Sequence, residues 1–496
     1  MFKIITSASF SGSISLAVKV EVSAMTGLPQ ETIIGLPDTV LKESRTRIKS
    51  AIQLAGFDFP AKSYVINLAP TDIPKRHISL ELAICVGILS ITNQIRINED
   101  HCFIGGVSLD GHVTPVKQLL PLIYFLPNYK AMTFVISAKN ETDIQAIKDL
   151  NYIPIHHLNE LSNTNAIEKK TTIFCPPLPQ TNQLSFDDVH GHKLGKLACA
   201  FSIIGRHPLL FIGSPGIGKT MLIERTKSII PPLSNEQALA NFCFEQLTSD
   251  ATTYTTTPPF CAPHHSISFA GMVGGKNPPQ PGEITRANHG ILFLDEIGEY
   301  QRQILDTLRE PLETKTIMLS RAGSSIRFPA DFLLIAAMNP CYCGYFFDPH
   351  HACRCLPTHV QRYWQKLSQP FLDRIAICCI LHKPDEGAAT ISHNELTNMV
   401  TTGISISKKR NPNKLRNSEL SRDMILSVSS MNDGTMQLLN QFFEKKNVSM
   451  RGQLRMLRLA RTIADAHNVT SISSQHASLA IQLTQHSQLP RVGSGR

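Results

Sequence analysis

Three stretches carry residue types suited to phosphate chemistry. The octet GSPGIGKT, Gly213 to Thr220, follows the apolar run PLLFI and precedes MLIERTKSI, whose spacing is helical. Strand, glycine loop and helix N-terminus in that order make a phosphate loop. Backbone groups along Gly213, Ser214, Pro215, Gly216, Ile217 and Gly218 cradle the phosphates of ATP, Lys219 reaches the β and γ phosphates, and Thr220 ligates Mg²⁺. A second apolar run, ILFLDE, ends in Asp295 and Glu296. Two acids closing a buried strand are costly unless they serve a cation or a solvated edge. Asp295 is expected to hold Mg²⁺ through water, and Glu296 to orient and polarise the attacking water. The third run, FLLIAAM, ends at Asn339. An isolated asparagine after a strand reads as a turn residue, but as third in this series it is expected between the other two strands, bonding the attacking water or the γ-phosphate.

Directly after Asn339, the segment PCYCGYFFDPHHACRC sets Cys341, Cys343, Cys353 and Cys355 in two C-x-C pairs. Four soft ligands match a closed tetrahedral Zn²⁺ site. His350 or His351 could replace one thiol; an iron–sulfur centre and reduced, unliganded thiols are the other readings.

These residues need scaffolds to position them. Across residues 1–162, alternating strands (ISLAVKVEV, SYVINLAP, MTFVIS) mix with helical DTVLKESRTRIKSAIQLAG, which indicates an α/β domain. Residues 163–183 lack periodicity, contain Pro-Pro and read as a linker. A second α/β domain is expected over 184–383, with the cysteine insertion at 341–355, and 384–496 is mostly helical in pattern. A chain of 496 residues can bury two or three cores, which excludes a small disulfide-stapled fold. The serine-interrupted start does not match a signal peptide, and LELAICVGILSI, Leu80 to Ile91, is too short to span a bilayer and contains Glu81. A cytoplasmic chain with no membrane partner is therefore expected, in a compartment where clustered cysteines more often hold metal. The net charge of +9 fits a polyanionic partner but is weak evidence alone.

The motifs GSPGIGKT, FCAPHHSISFAGMVGG, PQPGEITRANHGILFLDEIGEY, LREPLE, AAMNPCYCGYF, LSQPFLDRI and MRGQLRMLRLARTIAD together resemble the ComM/YifB family of magnesium-chelatase-like AAA+ ATPases, over nearly the whole chain. The resemblance implies an AAA+ P-loop αβα core with a parallel sheet, a C-terminal helical lid, and a homohexamer holding each ATP between neighbouring subunits. It makes Arg374 in FLDRI the arginine finger, which stabilises charge on the transferring phosphoryl group. It makes Arg451 in MRGQL a sensor arginine that contacts nucleotide from the lid. The residues themselves say less: Arg451, Arg455 and Arg458 share one helix face, which by default is solvated or acid-paired.

The segment INLAPTDIPKRHISLELAICVGIL, with GGVSLDGHVTPVKQLLPLIYFL, resembles the proteolytic domain of Lon, which implies a Lon-protease-like α/β fold for 1–162. Ser79 aligns with the nucleophile of those proteases. Leu120 and Leu122 stand where they carry a Lys-x-Lys pair, so the serine lacks its general base and a proteolytically inactive domain is expected.

Lys276 and Arg286 lie in the glycine- and proline-rich stretch before ILFLDE, and Arg321 and Arg327 in TIMLSRAGSSIRFPADF, which reads as a β-hairpin. In related rings such insertions face the pore, where these cations would contact phosphates of a translocating strand without reading sequence. His264 and His265 lack metal-ligand spacing and are expected to be structural or to contact a neighbouring subunit. The resemblance implies a branch-migration helicase acting on single-stranded and branched double-stranded DNA, with recombination proteins as possible partners, in natural transformation and homologous recombination. The alternative is a metal-chelatase-type remodelling ATPase acting on a protein partner.

Overall fold

The computed structural model describes residues 2–11, 14–35, 39–71, 78–163, 169–179, 184–248, 253–275, 280–321, 324–384, 387, 389–484 and 489. The chain divides into two compact units: Met1–Leu178 with Ser234–Thr256 and Lys276–Gln280, and Pro179–Leu233 with Thr257–Gly275 and Pro281–Arg496.

Strands of the first unit are β1 (Phe2–Ser11), β2 (Ile14–Met25), β3 (Gln30–Ile34), β4 (Ser63–Ala69), β5 (His101–Ile104), β6 (Thr133–Ser137), β7 (Asn151–Ile155) and β8 (Lys170–Thr171). They form one mixed sheet in the order β8-β7-β6-β5-β1-β2-β4-β3. β1, β2 and β4 are antiparallel neighbours, while β5, β6 and β7 run parallel to β1. The period-2 pattern in β2 buries Val18, Val20 and Val22 completely. Helix α1 (Thr39–Leu54) and helix α2 (Glu81–Ile91) contribute to the same apolar core. All eleven residues of α2 are buried, which explains why this run is apolar on every side without being a membrane span.

Two parts of this unit lie where the sequence suggested something else. Lys170–Thr171, in the expected linker, pairs antiparallel with β7 as an edge strand. The helix Asn235–Gln246, which lies between the phosphate loop and ILFLDE in the sequence, packs Leu239 and Cys243, with Leu247 just beyond, among Leu119, Leu122 and Ile123 of the first unit. Ser234 starts it with a capping box shared with Gln237. The stretch 184–383 is therefore not one continuous body, because this helix places its apolar side in the first unit.

The second unit contains β9 (Leu209–Ile212), β10 (Phe260–Cys261), β11 (Ile291–Leu294), β12 (Thr316–Arg321), β13 (Ser324–Pro329), β14 (Leu333–Met338) and β15 (Ile377–Ile380). Five of them make a wholly parallel sheet in the order β10-β11-β14-β9-β15. Every residue of β9, β11, β14 and β15 is buried, as expected of parallel strands covered on both faces. β12 and β13 form the anticipated hairpin, in register from Thr316 opposite Pro329 to Arg321 opposite Ser324.

Helices of this unit include α3 (Lys193–Gly205), α4 (Lys219–Arg225), α5 (His393–Arg410) and α6 (Met450–Ala466). Ile204 of α3, Val400 of α5 and Ile463 of α6 share one apolar cluster with Phe211 of β9. The C-terminal helices thus pack into the core of the sheet unit. Arg461 on α6 has no exposed surface; its charge is met by Asp465 at 2.9 Å.

Candidate nucleotide site and cysteine cluster

The sheet order sets the site. β14 lies between β9, which leads into the glycine loop, and β11, which leads into the paired acids, so Asn339 emerges between them. Gly218 caps α4 with φ 93°, a conformation open to glycine. Lys219, the first residue of α4, is buried, and its Nζ donates to the carbonyls of Gly213 at 2.7 Å and Ser214 at 3.0 Å and to Asn339 Oδ1 at 3.0 Å. Burial lowers its amine to about 8, although Asp295 and Glu296 act in the opposite direction. Thr220 Oγ1 donates to Asp295 Oδ2 at 3.0 Å. That hydroxyl and carboxylate are hard oxygen donors of the kind Mg²⁺ takes in phosphate sites. Glu296 is exposed with φ 48°, a left-handed conformation that costs a residue with a Cβ about 1 kcal/mol.

Arg374 is held away from solvent by Glu313 at 2.8 Å, by the Arg309 carbonyl at 3.0 Å and by the Pro370 carbonyl at 2.6 Å. It lines a cavity of about 440 Å³ together with Arg451, Arg455 and Arg458, and no residue of 213–220 lines it. The basic face of α6 is only partly solvated. Arg451 is exposed, but Arg455 donates to the carbonyls of Leu372 at 3.1 Å and Ile375 at 2.8 Å, and Arg458 to that of Leu420 at 2.6 Å. Arg455 therefore ties α6 to the backbone on both sides of Arg374. Its spacing from Arg451 was legible in the sequence; its attachment was not.

The four candidate DNA contacts are not equally placed. Arg327 is exposed on the hairpin opposite Met318. Arg286 is exposed but paired with Glu283 at 2.6 Å. Arg321 occupies the last paired position before the hairpin tip, with only its backbone described, and Lys276 lies outside the described residues. The rings of His264 and His265 lie 4.0 Å apart with their planes tilted by 35°, and His264 Nδ1 is 2.7 Å from Ser266 Oγ.

Cys341, Cys343, Cys353 and Cys355 bring their sulfurs within 4.8 Å of one another, the single such metal-competent group among the described residues. Sulfur separations are 3.3 Å for Cys341–Cys343 and 3.6 Å for both Cys341–Cys353 and Cys343–Cys353. A tetrahedral ion with bonds of about 2.3 Å spaces its thiolates about 3.8 Å apart, so the thiols fit Zn²⁺. Burial opposes ionisation of Cys343, but N–H groups of Tyr345 and Arg354 outweigh it and bring the thiol to about 6. His351 turns its Nδ1 to Asp348 at 3.3 Å, so the histidines are not needed to complete the set.

In the first unit Ser79 is completely buried, its hydroxyl donating to the Ala8 carbonyl at 2.7 Å. Leu120 and Leu122 are buried in an apolar cluster.

Comparison with known proteins places this geometry among relatives. The family described as magnesium chelatase, subunit ChlI matches residues 185–388, subunit ChlI of Mg-chelatase matches 20–140, and the ChlI C-terminal family matches 391–484. An uncharacterized protein, YifB, of Salmonella typhimurium is 35% identical over 481 residues, covering 94% of this chain and 93% of its own. The competence protein ComM of Haemophilus influenzae is 33% identical over 485 residues, covering 94% of each. Lon protease 2 of Bacillus subtilis is 31% identical over 183 residues, covering 31% of this chain and 32% of its own.

Proposed function

Because the chain belongs to the ComM/YifB family of magnesium-chelatase-like AAA+ ATPases, we propose that it is a ring-forming DNA motor that uses ATP to drive branch migration, promoting integration of DNA during natural transformation and homologous recombination. The observation that carries the ATPase reading is the convergence of Lys219, Thr220, Asp295 and Asn339 at adjacent strand ends of one parallel sheet. Lys219 binds the β and γ phosphates, Asn339 and Glu296 position the attacking water, and Glu296 takes its proton. Thr220 and Asp295 would hold Mg²⁺, which when bound neutralises charge on the phosphates.

Arg374 and Arg451 share one cavity that their own phosphate loop does not line. Two cations arranged in this way suit the nucleotide of a neighbouring subunit, which favours a homohexamer with both arginines acting across the interface. The hairpin, with Arg327 exposed, supplies a sequence-independent contact to the DNA backbone. The cysteine cluster is read as a structural Zn²⁺ site.

Strand exchange on a synthetic four-way junction with ATP tests the motor. Wild-type protein should resolve the junction while Lys219→Ala is inactive, and equal activity of the two would refute a motor driven by this site. A remodelling ATPase acting on a protein partner predicts, instead, hydrolysis indifferent to single-stranded and branched DNA.

A further inference from the structure

Resting on the reading of Gly213–Thr220 as an ATP site, we propose that Asp348 is a positioning residue for the phosphate loop, presented to it by the cysteine cluster. Asp348 lies midway between the two C-x-C pairs, and nothing in the spacing of the sequence marks it. Its Oδ2 accepts the Ser214 hydroxyl at 2.8 Å, while Oδ1 accepts the N–H of His350 at 2.8 Å and of His351 at 3.0 Å. The bond from Ser214 and these two N–H groups hold the carboxyl well below the usual range, so it is an ionised acceptor at neutral pH.

Ser214 is bonded at both ends. Its hydroxyl is fixed by Asp348, and its carbonyl accepts the Lys219 amine at 3.0 Å. A carboxylate on the cysteine loop is thereby connected, through one phosphate-loop residue, to the lysine that meets the phosphates. A second contact reinforces the first. Gly344 has φ +85° and lies so close to the loop that a Cβ there would be 2.5 Å from Pro215 Cδ. From the same loop, Tyr342 packs on Tyr363 at 4.8 Å between ring centres, and Tyr363 covers Gly298, two residues beyond Glu296. The cysteine loop therefore touches the phosphate loop directly and reaches the turn after the acids through one ring. Its two ends are gathered by the four thiols, which fixes where Asp348 points.

The test uses the full-length protein, with metal content measured on each sample, a fluorescent ATP analogue as the binding probe, and steady-state ATPase kinetics. Wild type must bind the probe more tightly than Lys219→Ala; equal binding would defeat the ATP-site reading itself, whatever Asp348 does. Given that result, Asp348→Ala should raise the probe Kd and the KM for ATP on the order of tenfold, with kcat and metal content near wild type. Asp348→Asn, which keeps an acceptor oxygen for the Ser214 hydroxyl, should recover most of the loss. In a Ser214→Ala background, Asp348→Ala should add nothing further. Unchanged or tighter binding by Asp348→Ala with metal retained, or full additivity with Ser214→Ala, would overturn the proposal.

Discussion

Lys219 combines two demands that conflict in chemistry. In the proposed ATP site it is buried so as to meet phosphates in a low dielectric, and burial lowers its amine to about 8. Phosphate oxygens of a bound nucleotide stabilise the charged form, so binding should raise that value and draw in a proton wherever the free amine has partly lost its own. The sign follows: nucleotide affinity should fall as pH rises through about 8. Calorimetry with ADP at pH 8.5 in two buffers of different ionisation enthalpy should register proton uptake, absent in Lys219→Arg. Equal heats in both buffers would mean that the amine stays fully charged in the free protein. At this scale the phosphate loop was legible because its residues are contiguous and chemically constrained. Asp348 was not legible, because its partner Ser214 is 134 positions away.

The clearest element-level device is α6, where Arg451, Arg455 and Arg458 rise along one side with different tasks. Arg455 holds the carbonyls of Leu372 and Ile375, which brace the segment bearing Arg374. Removing it takes a donor from both carbonyls, leaves that of Leu372 with the Ile375 N–H at 3.1 Å, and frees that segment. Arg455→Ala should therefore lower the ATPase rate of the assembled protein on the order of tenfold while nucleotide binding at Lys219 is kept; a matching loss of binding would place Arg455 in the wrong role. Helical spacing identified the basic face, but periodicity does not distinguish a solvated arginine from one buried against carbonyls. The β12–β13 hairpin was readable for the opposite reason, since alternation and a turn signal are local properties.

For the whole molecule, the helix Asn235–Gln246 is the main departure from a linear domain order. Leu239 and Leu247 are buried in the first unit, and each contributes about 2 kcal/mol on burial. A fragment ending at Leu178 should accordingly melt at lower temperature than the same fragment joined to 234–256, by an amount corresponding to about 4 kcal/mol; equal melting in differential scanning calorimetry would show the helix to be dispensable. Among the described residues no helix is long and apolar enough to cross a membrane, and α2, the apolar run of the first unit, is buried instead. The sequence by itself marked the glycine loop, the acid-bearing strand, the asparagine strand, the hairpin and the four-cysteine group, because each is encoded by neighbours close in the chain. Only the tertiary structure decided that Asn339 lies within reach of Lys219, that Arg374 and Arg451 share one cavity, that 234–256 belongs to the first unit, and that the cysteine loop bears on Ser214 and Pro215. Those relations depend on strand order and on which apolar faces find one another, which are properties of the packed chain and leave no local pattern in its sequence.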